Sequence, residues 1–274
     1  MYESKKKIAI LGGGNIGSAI ALGLVTSKMY KPSDIIITRR NQDLLKSFIE
    51  KGFQTSHSNS QAVKDSEIII IAVTPQQLNN LLDEVKSSVD PEKHTLISIV
   101  SGATISQIRK GIGNNVAIIR AMPNTAIAIQ ESMTCISANP EDHGKLEAAK
   151  NIFDALGKSL IIEESLMVPA TALCACGIAF FLRAVRAASQ GGIEIGFHAE
   201  DALVMAAQTA KGAAALLLTM GNHPENEVDK VTTPRGCTIS GLNQMEHSGF
   251  SSAMIKGITT SAEKAAKLYS PAEE

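Results

Sequence analysis

The amino-acid sequence predicts an α/β fold, with an N-terminal, doubly wound and mostly parallel sheet followed by an all-helical region. Three observations carry this expectation. Short apolar runs alternate with helical patterns from residue 7 to about 163, as stacked β-α units require. The run Ile68-Ile-Ile-Ile-Ala-Val73 is apolar throughout, which marks a central parallel strand buried on both faces. After Glu163-Glu164 the strand signals stop, and residues 166–219 become alanine-rich with helical periodicity. The expected division is a sheet domain over 1–164 and a helical domain over 165–274.

In chain order, strands are expected at 7–11, 34–38, 67–73, 95–100, 116–121, 132–137 and 158–162. Helices are expected near 17–28, 41–51, 59–65, 76–88 and 141–156, the last opened by Pro140, Glu141 and Asp142 at the positive end of its dipole. The first strand breaks into a glycine-rich turn, Ile8-Ala-Ile-Leu-Gly-Gly-Gly-Asn-Ile-Gly17. Gly12, Gly14 and Gly17 fit G-x-G-x-x-G between a strand and a helix, the setting of a dinucleotide site. The first glycine permits the turn, the second lets backbone approach a pyrophosphate, and the third lets helix pack on strand. Free N–H groups at the helix start attract the anion. The helical region is apolar over more than one face, and its small residues permit close approach, so self-association through it is expected. Glycines 191, 192, 196 and 221 punctuate its helices.

Composition narrows the functions. A chain of 274 residues with a net charge of −1, no basic cluster, no Trp and only seven Phe and three Tyr offers nucleic acid neither an electrostatic footprint nor a stacking surface. The four cysteines, 135, 174, 176 and 237, lack the density of a disulfide framework, so a reducing cytoplasm is expected. Lys5-Lys6-Lys7 before an apolar stretch imitates a signal peptide, but five glycines within residues 8–25 make a poor apolar core for one. No later segment holds an unbroken run of roughly 18 apolar residues, so no membrane partner is expected. Cys174-Ala-Cys176 is no metal site, since i and i+2 diverge on a helix and no further ligands stand at a completing spacing; small, buried cysteines on packed helices are expected instead.

The chemistry-bearing residues cluster at strand ends. The second strand ends in Thr38, Arg39 and Arg40, where an NAD-specific site carries Asp or Glu to meet the ribose 2′-hydroxyl. A hydroxyl and two guanidinium groups favour a 2′-phosphate and therefore NADPH. Ala72-Val-Thr-Pro75 and Ser101-Gly102 follow strands at the ends where such sheets place ligands. Arg120-Ala-Met-Pro-Asn-Thr125 ends another. In the helical region, Val231-Thr-Thr-Pro-Arg-Gly-Cys-Thr238 reads as a helix start whose backbone N–H groups suit a carboxylate, or as an ordinary N-cap.

Taken together these blocks resemble pyrroline-5-carboxylate reductase, from Ile8 to about Lys267. The most specific parts are Arg120-Ala-Met-Pro-Asn-Thr125 with Glu131 and Met133-Thr134, and Val231-Thr-Thr-Pro-Arg-Gly-Cys-Thr238 leading to Glu246. The resemblance implies a Rossmann-like domain, a helical dimerisation domain that often builds a larger ring, and NADPH-dependent reduction of 1-pyrroline-5-carboxylate to L-proline. It implies that Gly12, Gly14, Asn15, Ile16 and Gly17 form the phosphate loop and that Thr38, Arg39 and Arg40 form the 2′-phosphate site. Asn59 becomes an adenosine contact, and Ala72, Val73, Thr74 and Pro75 the loop near the nicotinamide. Met122, Pro123, Asn124, Thr233, Gly236, Cys237 and Thr238 face the substrate, with Thr238 on the imine nitrogen. The sequence does not set the relative use of NADPH and NADH. The chain departs from the family at Thr74 (usually Lys), at Cys174-Ala-Cys-Gly-Ile-Ala179 (usually Ser-Gly-Ser-Gly-Pro-Ala), at Arg235 (usually Gly) and at Cys237 (usually Thr). Two other readings fit the same residues: a reductase of another cyclic imine or small keto acid, and a non-catalytic NADP(H)-binding regulator.

Overall fold

The computed structural model of the chain describes residues 6–113 and 115–269. Contacts divide it into two units, one running through Cys176 and resuming at Ser261, the other Gly177–Thr260. In the first unit, strands β1 (Ile8–Leu11), β2 (Ile35–Thr38), β3 (Gln54–Ser56), β4 (Ile68–Ile71), β5 (Thr95–Ser98), β6 (Ala117–Met122), β7 (Ser132–Ala138) and β8 (Gly157–Ile161) form one sheet in the order β3-β2-β1-β4-β5-β6-β7-β8. The chain order reverses between β1 and β4, which is the point where doubly wound sheets bind ligands.

The period of two in a strand explains the two cores. Ile8, Ile10, Ile35, Ile37, Ile68 and Ile70 point to one face, while Ala9, Leu11, Ile36, Ile69 and Ile71 point to the other, and all are buried. Helices α1 (Asn15–Thr26) and α6 (His143–Asp154) cover the first face through Ile20, Leu24, Ile152 and Phe153. On the second lie α3 (Asn59–Lys64), α4 (Pro75–Val85) and α5 (Ile105–Ile112), through Val63, Leu78, Leu82, Ile105 and Ile108. The short α2 (Lys46–Glu50) places Phe48 against the first core.

Three features differ from the sequence expectation. β3 was not expected, because Gln54-Thr-Ser56 has no apolar residue to signal a strand and gains its place by pairing with β2. Helix α5 was also unexpected, although Thr104 and Gln107 form a reciprocal capping box and Gly113 ends the helix at φ 75°. β7 runs antiparallel to β6, since the connection of residues 123–131 is too short for a helical crossover; the rest of the sheet is parallel.

The second unit is helical. After α7 (Met167–Ala170) and a π-helical turn at Thr171–Cys176 in the first unit, the chain continues as α8 (Gly177–Glu194), α9 (Ala199–Met220), α10 (Pro224–Lys230), α11 (Cys237–His247) and α12 (Phe250–Ala265). α8 and α9 cross closely because Gly192 has no side chain: a Cβ there would stand 3.0 Å from that of Ala202. The continuous helical stretch Glu164–Glu194 and α9 are both long and apolar enough to cross a membrane, by length and composition. This corrects the expectation drawn from unbroken apolar runs, since the polar and charged residues that interrupt the runs, among them Arg183, Arg186 and Lys211, do not interrupt the helices. Phe181, Val204 and Leu218 are 64, 68 and 69% exposed within the single chain.

One buried histidine ties stability to pH. His94, just before β5, is buried, and its Nδ1 accepts the backbone N–H of Asp90 at 2.8 Å. Burial first, and neighbouring Lys93 second, lower its pKa below the ordinary value of 6.5. The folded state therefore disfavours the charged ring, so this contribution is present above pH 6.5 and is lost as pH falls towards the lowered folded value. The unfolding midpoint should drop as pH falls below 6.5, and thermal melts of wild type and His94→Asn through the acid range should give a flatter profile for the variant.

Candidate functional site

The groove begins where three strands end level. Leu11 pairs with Thr38 on one side and with Ile71 on the other, so the segments that follow β1, β2 and β4 converge. They enclose a groove of about 470 Å³, lined by Gly12, Gly14, Thr38, Arg39, Arg40, Asn59, Ala72, Val73 and Thr74 among others. Asn15, Ile16 and Gly17 form the first turn of α1 behind it, and Pro75 opens α4 with Thr74 as its N-cap.

The three motif glycines do three different things. Gly12 has φ 116°, and a Cβ there would lie 2.4 Å from the carbonyl oxygen of Ala72. At Gly17 a Cβ would lie 2.1 Å from the carbonyl oxygen of Gly12, so α1 leaves the sheet along a path open only to glycine. A Cβ on Gly14 would meet nothing within 4 Å. Gly14 is the N-cap of α1 and supplies no side-chain bond to its first N–H groups. Those donors and the positive end of the dipole therefore face open space at the groove, which fits a dinucleotide pyrophosphate.

The far end of the groove is polar and pinned. Thr38 is buried, and its hydroxyl donates to Asn59 Oδ1 at 2.6 Å. Asn59 donates in turn to Glu84 of α4, through its backbone N–H at 3.2 Å and its Nδ2 at 2.9 Å. Arg39 is half-buried with Nη1 donating to the carbonyl of Gly13 at 2.7 Å, while Arg40 is exposed. The backbone N–H of Gly13 donates to the Thr38 carbonyl at 2.7 Å, so the glycine turn and the end of β2 hold each other. His57, Gln77, Asn80 and Glu84 also line the groove. Sequence reasoning missed them because they follow no motif; Glu84 reaches the site only because α4 lies beside α3.

The Met122-Pro-Asn124 block ends β6 in the same unit. Met122 is buried, and its sulfur accepts the Ser101 hydroxyl at 3.8 Å. Asn124 is held by both ends of its amide and by its backbone. Its Oδ1 accepts the Ala126 N–H at 3.1 Å, its Nδ2 donates to the Cys174 carbonyl at 3.3 Å, and Ser132 Oγ accepts its backbone N–H at 3.1 Å. Arg120 is buried and pairs with Glu164 at 3.3 Å; burial draws its pKa below the usual guanidinium value, and Glu164 opposes that shift. The cysteines differ from expectation: Cys174 and Cys176 are half-buried on the π-helical turn, and Cys174 Sγ lies 3.9 Å from Cys135 Sγ of β7. The hydrogen bond between these thiols, together with burial, raises the pKa of Cys135, and the same bond lowers that of Cys174.

The remaining predicted residues belong to the second unit. Arg235 turns the chain at φ 61°, and Gly236 caps α11 with its N–H on the Thr233 carbonyl at 2.9 Å. A Cβ on Gly236 would stand 2.6 Å from Thr233 Oγ1. No side chain caps α11, so the N–H groups around Cys237 and Thr238 are available to an anion. Cys237 is exposed and Thr238 half-buried.

Comparison with known proteins decides the family. Residues 164–268 match the family model described as pyrroline-5-carboxylate reductase dimerisation, and residues 7–102 match one described as NADP oxidoreductase, coenzyme F420-dependent. Pyrroline-5-carboxylate reductase 2 of Dictyostelium discoideum is 49% identical over 97% of this chain and 94% of its own length. The chain belongs to the pyrroline-5-carboxylate reductase family. Pyrroline-5-carboxylate reductase 1 of the same organism is 56% identical over 97% of this chain, which spans 50% of that relative's length. A solved pyrroline-5-carboxylate reductase from Coxiella burnetii superposes with a TM-score of 0.88 at 28% identity, covering 97% of this chain and 99% of that one. The apolar helices exposed in the single chain fall within the region matched by the reductase dimerisation model, which supports self-association of the chain.

The glycine geometry separates folding from binding. Gly17→Ala should destabilise the chain by about 2 kcal/mol or more through backbone overlap. Gly14→Ala should fold with the wild-type melting temperature yet bind NADPH about tenfold or more weakly, because its methyl group occupies the phosphate's space. Thermal melts and cofactor titrations on both variants check the pair.

Proposed function

We propose that this chain reduces 1-pyrroline-5-carboxylate to L-proline with NADPH, the last step of proline synthesis. The observation that carries the reading is the open N-terminus of α1, flanked by Arg39 and Arg40, in a chain of this family. The start of α1 and Gly14 hold the pyrophosphate, Arg39 and Arg40 attract the 2′-phosphate, Asn59 borders the adenosine, and Ala72 to Pro75 border the nicotinamide. When bound, NADPH supplies the hydride for the C=N carbon, and a proton goes to the nitrogen.

The chain's own share is positioning. The N–H groups of Cys237 and Thr238, with Thr233, hold the substrate carboxylate, while Gly236 shapes the turn through its own N–H bond to the Thr233 carbonyl, and the Thr238 hydroxyl donates a hydrogen bond to the imine nitrogen. Met122 and Asn124 shape the substrate side, Asn124 through its fixed bonds rather than a free amide. A protonated imine is already electrophilic, so correct orientation accounts for several kcal/mol of the barrier reduction. Residues 1–164 carry the cofactor, and 165–274 carry self-association and substrate contacts. The assembly is a dimer or a ring built from dimers, working in the cytoplasm without nucleic-acid or membrane partners; four free cysteines accord with that compartment.

Addition of pyrroline-5-carboxylate to enzyme and NADPH should oxidise the cofactor stoichiometrically with proline formed. No turnover on this imine, with turnover on a piperideine carboxylate, would reassign the substrate. Thr238→Ala should lower kcat by roughly tenfold to a hundredfold while leaving the Kd for NADPH unchanged; an unaltered kcat removes Thr238 from the reaction.

A further inference from the structure

We propose that Glu84 is a cofactor-specificity residue that restrains the preference of this groove for a 2′-phosphorylated dinucleotide. It is the only carboxylate among the described residues that line the groove. Nothing in the glycine motif or in the arginine pair calls for it. An acidic group beside the ribose 2′-position favours the hydroxyl of NADH over the phosphate of NADPH, and that group ordinarily stands at the end of the second strand. Here the end of β2 carries Thr38, Arg39 and Arg40, and the acid arrives from α4 instead.

The hydrogen bonds connect it to the end of β2 through Asn59. Both Glu84 carboxylate oxygens are held by Asn59, at 3.2 and 2.9 Å, and Asn59 Oδ1 accepts the hydrogen bond of the Thr38 hydroxyl at 2.6 Å. Ser60 Oγ donates to the Glu84 carbonyl at 2.8 Å, which locks α3 to α4 at this point. The relay Thr38–Asn59–Glu84 has two consequences. The one Thr38 proton is committed to Asn59, so this hydroxyl turns only lone pairs to the groove. One of the two N–H donors of the Asn59 amide is directed towards a carboxylate, which leaves a single donor there for a ligand. The 2′-end of the groove is thus built from two opposed contributions, Arg39 and Arg40 on one side and the Glu84 charge on the other. Arg39 is partly withdrawn, since one of its nitrogens is tied to Gly13. Such a balanced edge admits both dinucleotides where an all-cationic edge would select one.

The inference rests on the dinucleotide reading above, and the test separates the two. Binding of NADPH and NADH to the full chain is measured by fluorescence and calorimetry for wild type, Glu84→Gln, Glu84→Ala and Arg40→Ala. Both Glu84 variants should bind NADPH about three- to fivefold more tightly, with NADH changed less than about twofold, as expected for one exposed charge acting across a few ångströms of solvated protein. The gain should shrink in about 0.5 M salt. Arg40→Ala should move the ratio the opposite way. Unchanged or weaker NADPH binding in both Glu84 variants, or an equal loss for both cofactors, overturns the specificity role and leaves Glu84 as a support for Asn59. Failure of the wild-type chain to bind either dinucleotide overturns the reading of the groove itself, and this inference with it.

Discussion

The close passage of α1 over the end of β1 is the constraint on which the first unit depends. With Gly17 pressed to the Gly12 carbonyl, the helix axis can start at the sheet's upper edge and still reach the core with Ile20 and Leu24. A side chain at residue 17 would lift α1 from the strand and open a gap in a core whose strand residues are fully enclosed. The same passage aims the first N–H groups of the helix out of the protein, where no side chain meets them. Packing and anion binding are one geometric solution here.

Charge is then distributed around that solution rather than added to it. The whole chain is almost neutral at −1, so attraction of an anionic ligand is local. The groove brings together the helix start, two arginines and one carboxylate among the described residues that line it. Arg39 also serves the fold, because its bond to Gly13 joins the end of β2 to the glycine turn. A guanidinium anchored in this way is ordered in advance, and a preordered group adds little to the ordering cost of any association.

Much of this was legible in the sequence, for physical reasons that differ by element. Doubly buried strands announce themselves as apolar runs, so Ile68 to Ile71 and Ile35 to Ile37 could be placed from composition alone. Gln54-Thr-Ser56 could not, since an edge strand is made by its neighbour's hydrogen bonds and needs no apolar pattern. The α5 capping box between Thr104 and Gln107 was present in the sequence and is a recognisable signal. At the site, residues fixed to strand ends were legible through spacing, from Gly12 to Thr74. Glu84 and His57 were not, because they become neighbours of Thr38 only after α3 and α4 have packed. Long apolar helices were readable as helices, but their exposure became meaningful only beside the dimerisation region they occupy.

The departures from the family pattern show which contacts matter to the backbone and which to the ligand. Asn124 uses the carbonyl of residue 174, which any side chain there would leave in place, so Cys174 alters the wall without releasing Asn124. Thr74 caps α4 through backbone geometry with no side-chain bond, and Pro75 needs none, so a lysine is not required to start that helix. Arg235 is different. It occupies φ 61°, a conformation natural to the usual glycine and costing an arginine about 1 kcal/mol. That strain is borne one residue before Gly236, where a side chain would collide with Thr233. The turn is therefore kept in spite of the residue that occupies it, its shape being set by the Gly236 close approach to Thr233 rather than by the preference of Arg235.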